Sequence, residues 1–319
     1  MAHLIANVNG KNSMAYVGEA PWHGLGQVLT EGASHEVWTQ EAGLNFLVER
    51  AAVQYQTATK IVSHESREVL FRDDTLDALG IVSKGYKIVQ PKEVIDFFSD
   101  LADKGGFQLE TAGALKGGQI VWALAKVAEG FKIGGKDAVN PYVLMTTSFD
   151  GSTATSARLT AIRVVCNNTL SVAVKDNANV VRVPHNSMWD AKSAKLELGL
   201  IDESWTEYER MSQRMAETPM TVREADSILT EMLAKKDESI EDTRKQVAYQ
   251  KILDLFYNEK AIGAELCEMR SVWSFTNCVT EFYDHHVGKL QDLRVRNAWY
   301  GAGNTMKTKA WTKAAELVK

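Results

Sequence analysis

The sequence lacks the features that mark secreted and membrane-spanning proteins. Its three cysteines, Cys166, Cys267 and Cys278, are not spaced as a disulfide framework. No apolar run approaches the roughly 20 residues that a membrane-spanning helix needs, and the first residues lack the charged start and apolar core of a secretion signal. We therefore expect a protein of the reducing cytoplasm with no membrane partner.

Several ligand-binding motifs are also missing. Neither GxGxxG nor GxxxxGK(S/T) is present, so the sequence offers no basis for nucleotide-driven chemistry, and there is no HExxH or paired CxxC to hold a metal. The net charge of −5 excludes the overall basic surface that dominates non-specific DNA binding. We expect no cofactor, and any binding of nucleic acid must use a local basic patch.

The chain does contain enough apolar residues to build a substantial core, with 45% hydrophobic residues over 319 positions. Strand-like and helix-like segments alternate up to Pro184, whereas the remainder is almost wholly helical in pattern. We predict an α+β protein: residues 1–187 form an antiparallel-sheet domain with helices on one face, and residues 188–319 form a helical domain or extension.

The first part predicts a series of hairpins. Strands are expected at residues 46–55, 68–72, 78–89, 107–115 and 119–127. The segment 78–89 is interrupted at Gly85, which permits a bulge or turn. Two glycines in Lys116-Gly117-Gly118 fit a tight turn between the last two strands. Between these strands, Pro91 begins a helix whose apolar face includes Val94, Ile95, Phe97 and Phe98.

Residues 141–175 predict a complete strand, turn, strand and helix, with the turn at Asp150-Gly151. The second strand ends near Val165, and either Asn167 or Asn168 can cap a helix. A helix N-terminus with Arg163 nearby in sequence can hold a phosphate. The alternative is that Asn168 is only a cap and Arg163 only a solvated strand residue.

The second part predicts amphipathic helices around residues 190–217, 222–235, 240–262 and 271–290. Most of its tryptophans are expected to pack in the core. Trp273, Asn277 and Glu281 are four residues apart, and Asp284 and His285 follow Glu281 by three and four residues, so a continuous helix would place them on one stripe. Glu281, Asp284 and His285 are weak metal candidates, and a hydrogen-bond network between helices is the alternative.

Five separate motifs, in this order, resemble the phage/plasmid-like protein family, whose members are of largely undescribed function. They are PWHGLG at 21–26, LGIVSKGYKIVQ at 79–90, the SxDGS turn at 148–152, AIRVVCNNTL at 161–170 and WSFTNCVTEFYDHH at 273–286. Phe149 stands where the family's turn often has histidine, which argues against a catalytic histidine there.

Consecutive hairpins followed by a helix are also similar to the core of single-strand annealing proteins, which bind DNA in a basic groove without ATP or metal and assemble into rings or filaments. By that resemblance, the residues expected to contact phosphates are Arg158, Arg163, Lys175 and Arg182, with Lys84, Tyr86 and Lys87 as further contributors. Arg158 and Arg163 are separated by an odd number of residues, so they belong to opposite faces of a regular strand.

Three functions are therefore open. The first is a single-stranded DNA-binding protein that forms homo-oligomers and acts in annealing, recombination or replication. The second is a protein-interaction module whose partner is a host or phage protein. The third is a metal-assisted nucleic-acid hydrolase that uses Glu281, Asp284 and His285.

Overall fold

A computed structural model describes most of the chain. The described residues are 5–18, 24–98, 107–126, 129–163, 167–168, 180–197, 201–261, 270–287 and 301–318. Within these ranges, no helix combines the length and apolar character needed to cross a membrane.

The described strands and helices mix as an α+β protein, as the sequence predicts. The strands are β1 (Asn7–Val8), β2 (Lys11–Asn12), β3 (Met14–Val17), β4 (Gln27–Leu29), β5 (Val48–Gln56), β6 (Ile61–Arg72), β7 (Ala78–Ser83), β8 (Gln108–Leu115), β9 (Ile120–Lys126), β10 (Phe131–Ile133), β11 (Asp137–Ser148), β12 (Thr155–Arg163), β13 (Asn167–Asn168) and β14 (Val180–Val183). The α-helices are α1 (His35–Glu41), α2 (Pro91–Asp96), α3 (Ala191–Glu197), α4 (Ile201–Glu217), α5 (Val222–Leu233), α6 (Ile240–Lys245), α7 (Val247–Tyr257), α8 (Val272–Glu281) and α9 (Ala302–Leu317). A π-helical turn, Phe282–His286, continues α8.

A large sheet forms the centre of the first part, with strand order β13-β12-β11-β9-β8-β3-β4 among the described residues. The predicted meander is confirmed, because β8, β9, β11 and β12 are successive antiparallel neighbours. Its turns have the expected chemistry: Lys116 and Gly117 have φ angles of 51° and 67°, and Gly151 has a φ of 73°. β10 and β14 add to this sheet beside β11 and β12.

A small sheet, β5-β6-β7, precedes the meander in sequence. β6 begins at Ile61, seven residues before the strand predicted at residues 68–72. β7 ends at Ser83, and the predicted interruption at Gly85 is a turn that the Tyr86 N–H closes by donating to the Ser83 carbonyl. Because β6 begins early, the β5–β6 hairpin continues beyond the part of β6 that pairs with β7.

Helices pack on one face of the large sheet, which we call the core face. Small side chains from neighbouring strands let helices approach closely: Ala112, Ala123 and Ala157 are fully buried there. α2 begins at Pro91, as predicted, and buries Val94 and Ile95 against this face. Residues 99–106, where the sequence places the end of this helix, lie outside the described residues.

The second part is helical, as predicted, and packs against the sheet. Trp273 is fully buried in α8 and its indole N–H donates to Asp137 of β11 at 3.0 Å. Trp205 and Trp311 are also buried and each stacks on Tyr208, which confirms their predicted core role. The segment predicted as one helix at residues 240–262 is two, because Gln246 has an extended ψ of 138° between α6 and α7.

Candidate nucleic-acid interface

The face of the large sheet opposite the core face, which we call the second face, carries two of the predicted arginines. Arg158 of β12 pairs with Leu144 of β11 and with Val180 of β14, and Arg182 pairs with Ser156. Arg158 and Arg182 are therefore diagonal neighbours on the same face, with roughly 7 Å between such positions. Arg158 is half-buried and Arg182 is exposed. The structure brings these two predicted residues together.

The predicted opposition of positions 158 and 163 is confirmed by the strand register. β12 pairs with β11 without a bulge from Ser156 to Arg163, so position 158 lies on the second face and position 163 on the core face. The side chains of Arg163 and Asn168 lie outside the described part, as does all of Lys175.

The expected helix cap at Asn167 or Asn168 stays a prediction, although both residues also extend the sheet. Asn167 and Asn168 form β13, which pairs antiparallel with Ile162 and Ala161 of β12. Asn167 and Asn168 therefore continue the hydrogen-bonding ladder of the sheet beside β12. The helix predicted from Leu170 onward lies outside the described residues.

The loop that contains Lys84 and Lys87 is fastened to the end of β14. The Lys87 N–H donates to the carbonyl of His185, and the His185 Nδ1 atom lies 3.0 Å from the Lys87 carbonyl oxygen. Both lysines are exposed. The Lys87 backbone is therefore bonded to a residue two positions beyond the end of β14, the strand that carries Arg182.

The side chain of Tyr86, a residue of the same loop, also holds the loop in place. Its ring stacks on His185 with centroids 4.2 Å apart, and its hydroxyl donates to the Ser148 carbonyl at 2.7 Å. Burial raises the pKa of Tyr86 to about 12, so the phenol is neutral and donates. Arg50 donates to the Tyr86 carbonyl and pairs with Glu68 at 2.7 Å. We call Lys84, Lys87, Arg158 and Arg182 the basic edge, and these contacts fix the loop that carries its two lysines.

The turn at residues 148–152 packs tightly against the small sheet. Gly80 of β7 faces this turn so closely that a Cβ atom there would lie 2.6 Å from the Asp150 Cα and from the Phe149 carbonyl. Phe149 is fully buried and meets Phe46 edge-on. Two motifs far apart in sequence, residues 79–90 and residues 148–152, therefore meet beside the basic edge.

The second face also contains a polar cluster that the sequence did not suggest. Tyr142 donates to Glu110 at 2.6 Å, and Lys126 lies close enough to oppose the charge of Glu110. Burial raises the pKa of Glu110, and burial together with the bond to Glu110 raises the pKa of Tyr142. Trp122 and Leu124 are buried on the same face. This arrangement places a partly buried carboxyl group with a raised pKa within the second face.

The three weak metal candidates do not converge. The π-helical turn moves residue i+5 over residue i, so Glu281 contacts His286 at 3.1 Å. Asp284 is bound by Lys307 of α9 at 2.7 Å, and both side chains are buried. The stripe expected for a continuous helix is therefore broken, and the described residues include no group of three or more His, Cys, Asp or Glu that could hold a metal ion.

The β5–β6 hairpin forms an exposed arm, which we define as residues 53–66. β6 pairs with β7 only from Arg67 onward, so this portion of the hairpin projects from the small sheet. Its apolar side chains include Tyr55 and Ile61, which are 53% and 65% exposed. Among the described strands β5 pairs with β6 alone, which leaves its other edge available for hydrogen bonding.

Sequence reasoning missed His185, although it joins three segments of the interface. Its partners lie 98 and 32 residues away in sequence, so no local spacing reveals them. The same applies to Arg50, which reaches the loop from β5. Both residues contact the loop that carries Lys84 and Lys87, but no sequence motif links their positions to that loop.

Comparison with known proteins gives a family but no described activity. A family model described as a domain of unknown function, DUF932, matches residues 78–314. No curated protein matches the chain, and no solved structure matches it. The match includes β7 to β14 and every helix from α2 to α8, so it covers the basic edge and the helical part together. The chain therefore belongs to the DUF932 family.

Proposed function

We propose that this protein binds single-stranded DNA along the basic edge and acts, as a homo-oligomer, in strand annealing during recombination or replication. The observation that carries the proposal is the clustering of Arg158 and Arg182 on one sheet face beside a fixed loop bearing Lys84 and Lys87. Because the net charge of the chain is −5, phosphate binding requires a local group of cations such as this one. The proposal places the protein in the cytoplasm of a cell that carries a phage or plasmid.

The chemistry of the basic edge suits a phosphate backbone. Arginine donates in a fixed fork that matches phosphate oxygens, and lysine adds a mobile point charge. Arg182 lies on β14, at the edge of the large sheet, so a strand of DNA can pass beside it without entering a closed cavity. Backbone binding of this kind needs neither ATP nor metal, and it tolerates any base sequence.

Self-association is supported by the arm. An exposed strand edge with few charges favours pairing with another strand, and residues 53–62 include only one charged side chain, Lys60. A second copy of the chain supplies such an edge. We therefore propose that β5 of one copy pairs with β5 of another.

The DNA proposal is tested by fluorescence anisotropy with labelled single-stranded and duplex oligonucleotides after nuclease treatment. We expect single-strand binding whose logarithmic salt slope becomes shallower by about 0.7 in Arg182→Ala, the amount for one lost phosphate contact on a single strand. Arg210→Ala is the matched control, because Arg210 is an exposed arginine of α4 that pairs with Glu207. Equal effects of the two variants contradict the assignment of the site.

A second candidate function, docking to a host or phage protein, is favoured by the exposed side chains Tyr55, Ile61 and Ile81 of the small sheet. Its test is capture of a stoichiometric protein from nuclease-treated lysate by the unmodified chain. Capture that is lost in Tyr55→Ser/Ile61→Ser supports this function, and capture that is unchanged in that variant contradicts a site on the arm.

A further inference from the structure

The small sheet has a buried inner face and an exposed outer face. Leu70 and Val82 are buried on the inner face, where Gly80 also approaches the turn at residues 148–152. Side chains alternate along a strand, so Ile81, which is 60% exposed, lies on the outer face. The inner face therefore meets the large sheet at the turn that follows β11. The outer face points away from this contact, and it is not a continuation of the second face of the large sheet.

Arg67 is an exposed residue of this outer face. It pairs with Ser83 in the last ladder position that β6 shares with β7, and Lys84 follows Ser83 directly. Paired Cα atoms lie about 5.5 Å apart or less and consecutive ones about 3.8 Å, so the Cα atoms of Arg67 and Lys84 are separated by at most about 9 Å. Arg67 therefore lies next to the loop that carries two cations of the basic edge.

The guanidinium of Arg67 is available to a ligand. Among the described residues, Arg67 makes no ion pair. Glu68 lies on the inner face and pairs with Arg50 at 2.7 Å. Glu65 lies beyond the last pair of β6 with β7, so it belongs to the arm. The positive charge of Arg67 therefore adds to that of Lys84.

We propose that bound DNA continues from the basic edge, along the Lys84–Lys87 loop, to Arg67 on the outer face of the small sheet, and that this path selects single strands over duplexes. The inference rests on the proposed function, because it takes phosphate binding at the basic edge as its starting point. It adds a residue that contacts phosphate and a reason for strand preference.

Strand preference follows from the directions of the two surfaces. Arg158 and Arg182 lie on the second face of the large sheet, whereas Arg67 lies on a face that points elsewhere. One nucleic acid must bend to contact both surfaces. Duplex DNA has a persistence length of about 150 base pairs, so it stays nearly straight over a site of this size. A single strand bends freely, so it contacts Arg67 as well as Arg182, and a duplex contacts Arg182 alone.

The experiment compares salt slopes of binding to two probes by fluorescence anisotropy. One probe is a labelled oligothymidine of about 20 nucleotides, longer than a typical single-strand site, and the other is its duplex with oligodeoxyadenosine, an A-tract that is especially stiff. We expect Arg67→Ala to make the logarithmic slope shallower by about 0.7 on the single strand and to leave the duplex slope unchanged. Arg182→Ala should make the slope shallower on both probes, by about 0.7 and about 0.9.

Two further variants control for net charge and for folding. Arg223→Ala removes an exposed arginine of α5 that makes no ion pair among the described residues, so it should change neither slope. Arg67→Lys keeps the positive charge and should restore the single-strand slope. Because distant sites add, Arg67→Ala/Arg182→Ala should be shallower by about 1.4 on the single strand.

The outcomes distinguish the inference from the function on which it rests. If the unmodified protein binds neither probe at low salt, the proposed function fails and the path to Arg67 fails with it. If Arg182→Ala changes the single-strand slope and Arg67→Ala does not, the proposed function stands and the path to Arg67 is overturned. If Arg67→Ala changes the slopes of both probes alike, Arg67 binds phosphate but the explanation of strand preference is overturned.

Discussion

Replacement of Lys307 by methionine should strongly destabilise the helical part. Lys307 on α9 and Asp284 on the π-helical turn form an ion pair at 2.7 Å, and their side chains are only 2% and 8% exposed. Methionine keeps the apolar stem but leaves the Asp284 carboxylate buried without this cation. Removal of one partner of a buried pair typically costs about 3–5 kcal/mol, mostly because the remaining charge is desolvated.

The assay is urea denaturation followed by circular dichroism, with Lys313→Met as the control. Lys313 lies on the same helix and pairs with Glu231 at 2.6 Å, but its side chain is 32% exposed, so its loss should cost at most about 1 kcal/mol. The double variant Lys307→Met/Asp284→Leu should recover most of the lost stability, because it removes both charges. Equal, small costs for Lys307→Met and Lys313→Met would refute the reasoning and reopen a ligand-binding role for Asp284.

Two further predictions concern the sheets. Gly80→Ala should lower the free energy of unfolding by about 1–3 kcal/mol, because its Cβ would lie 2.6 Å from the backbone of Asp150. In the control Gly85→Ala, the new Cβ meets nothing within 4 Å, so the free energy of unfolding should change by less than about 0.5 kcal/mol. Similar values for the two variants in urea denaturation would contradict the close approach of Gly80 to the turn. Burial raises the pKa of Glu110, so the native state binds its proton more tightly than the unfolded state and stability falls as pH rises through the native pKa. Glu110→Gln should therefore raise the melting temperature more at about pH 8 than at about pH 4, and a larger gain at the lower pH would contradict the sign.

The elements that the sequence predicts well are those with local signals. Glycines at 117 and 151 mark turns that adopt positive φ angles, and Pro91 marks the first residue of α2. The apolar runs of the meander are long enough to identify strands that are buried on both faces. In each case the information needed lies within a few residues.

The early part of β6 was missed for the opposite reason. Residues 61–67 are mostly exposed, so no burial imposes a pattern of alternating apolar side chains. The π-helical turn was missed because a single change of helical period is not visible in the spacing of residues, and this turn brings His286 to Glu281. In both places the local pattern of residues does not indicate the structure that the chain adopts.

Sequence reasoning named cations of the candidate interface but not the contacts that bring its segments together. Arg158 and Arg182 were named from the resemblance, and the pairing of β12 with β14 places them together. His185 was not named, because its contacts with Lys87 and Thr153 depend on the packing of segments distant in sequence. Long-range contacts of this kind require the fold.

The central claim is most directly tested by the salt dependence of single-strand binding by Arg182→Ala, beside Arg210→Ala. The account predicts measurable binding by the unmodified protein, with a salt slope that is shallower by about 0.7 in Arg182→Ala and unchanged in Arg210→Ala. Absence of single-strand binding at low salt, or an identical slope in all three proteins, would contradict a phosphate-binding role for the basic edge.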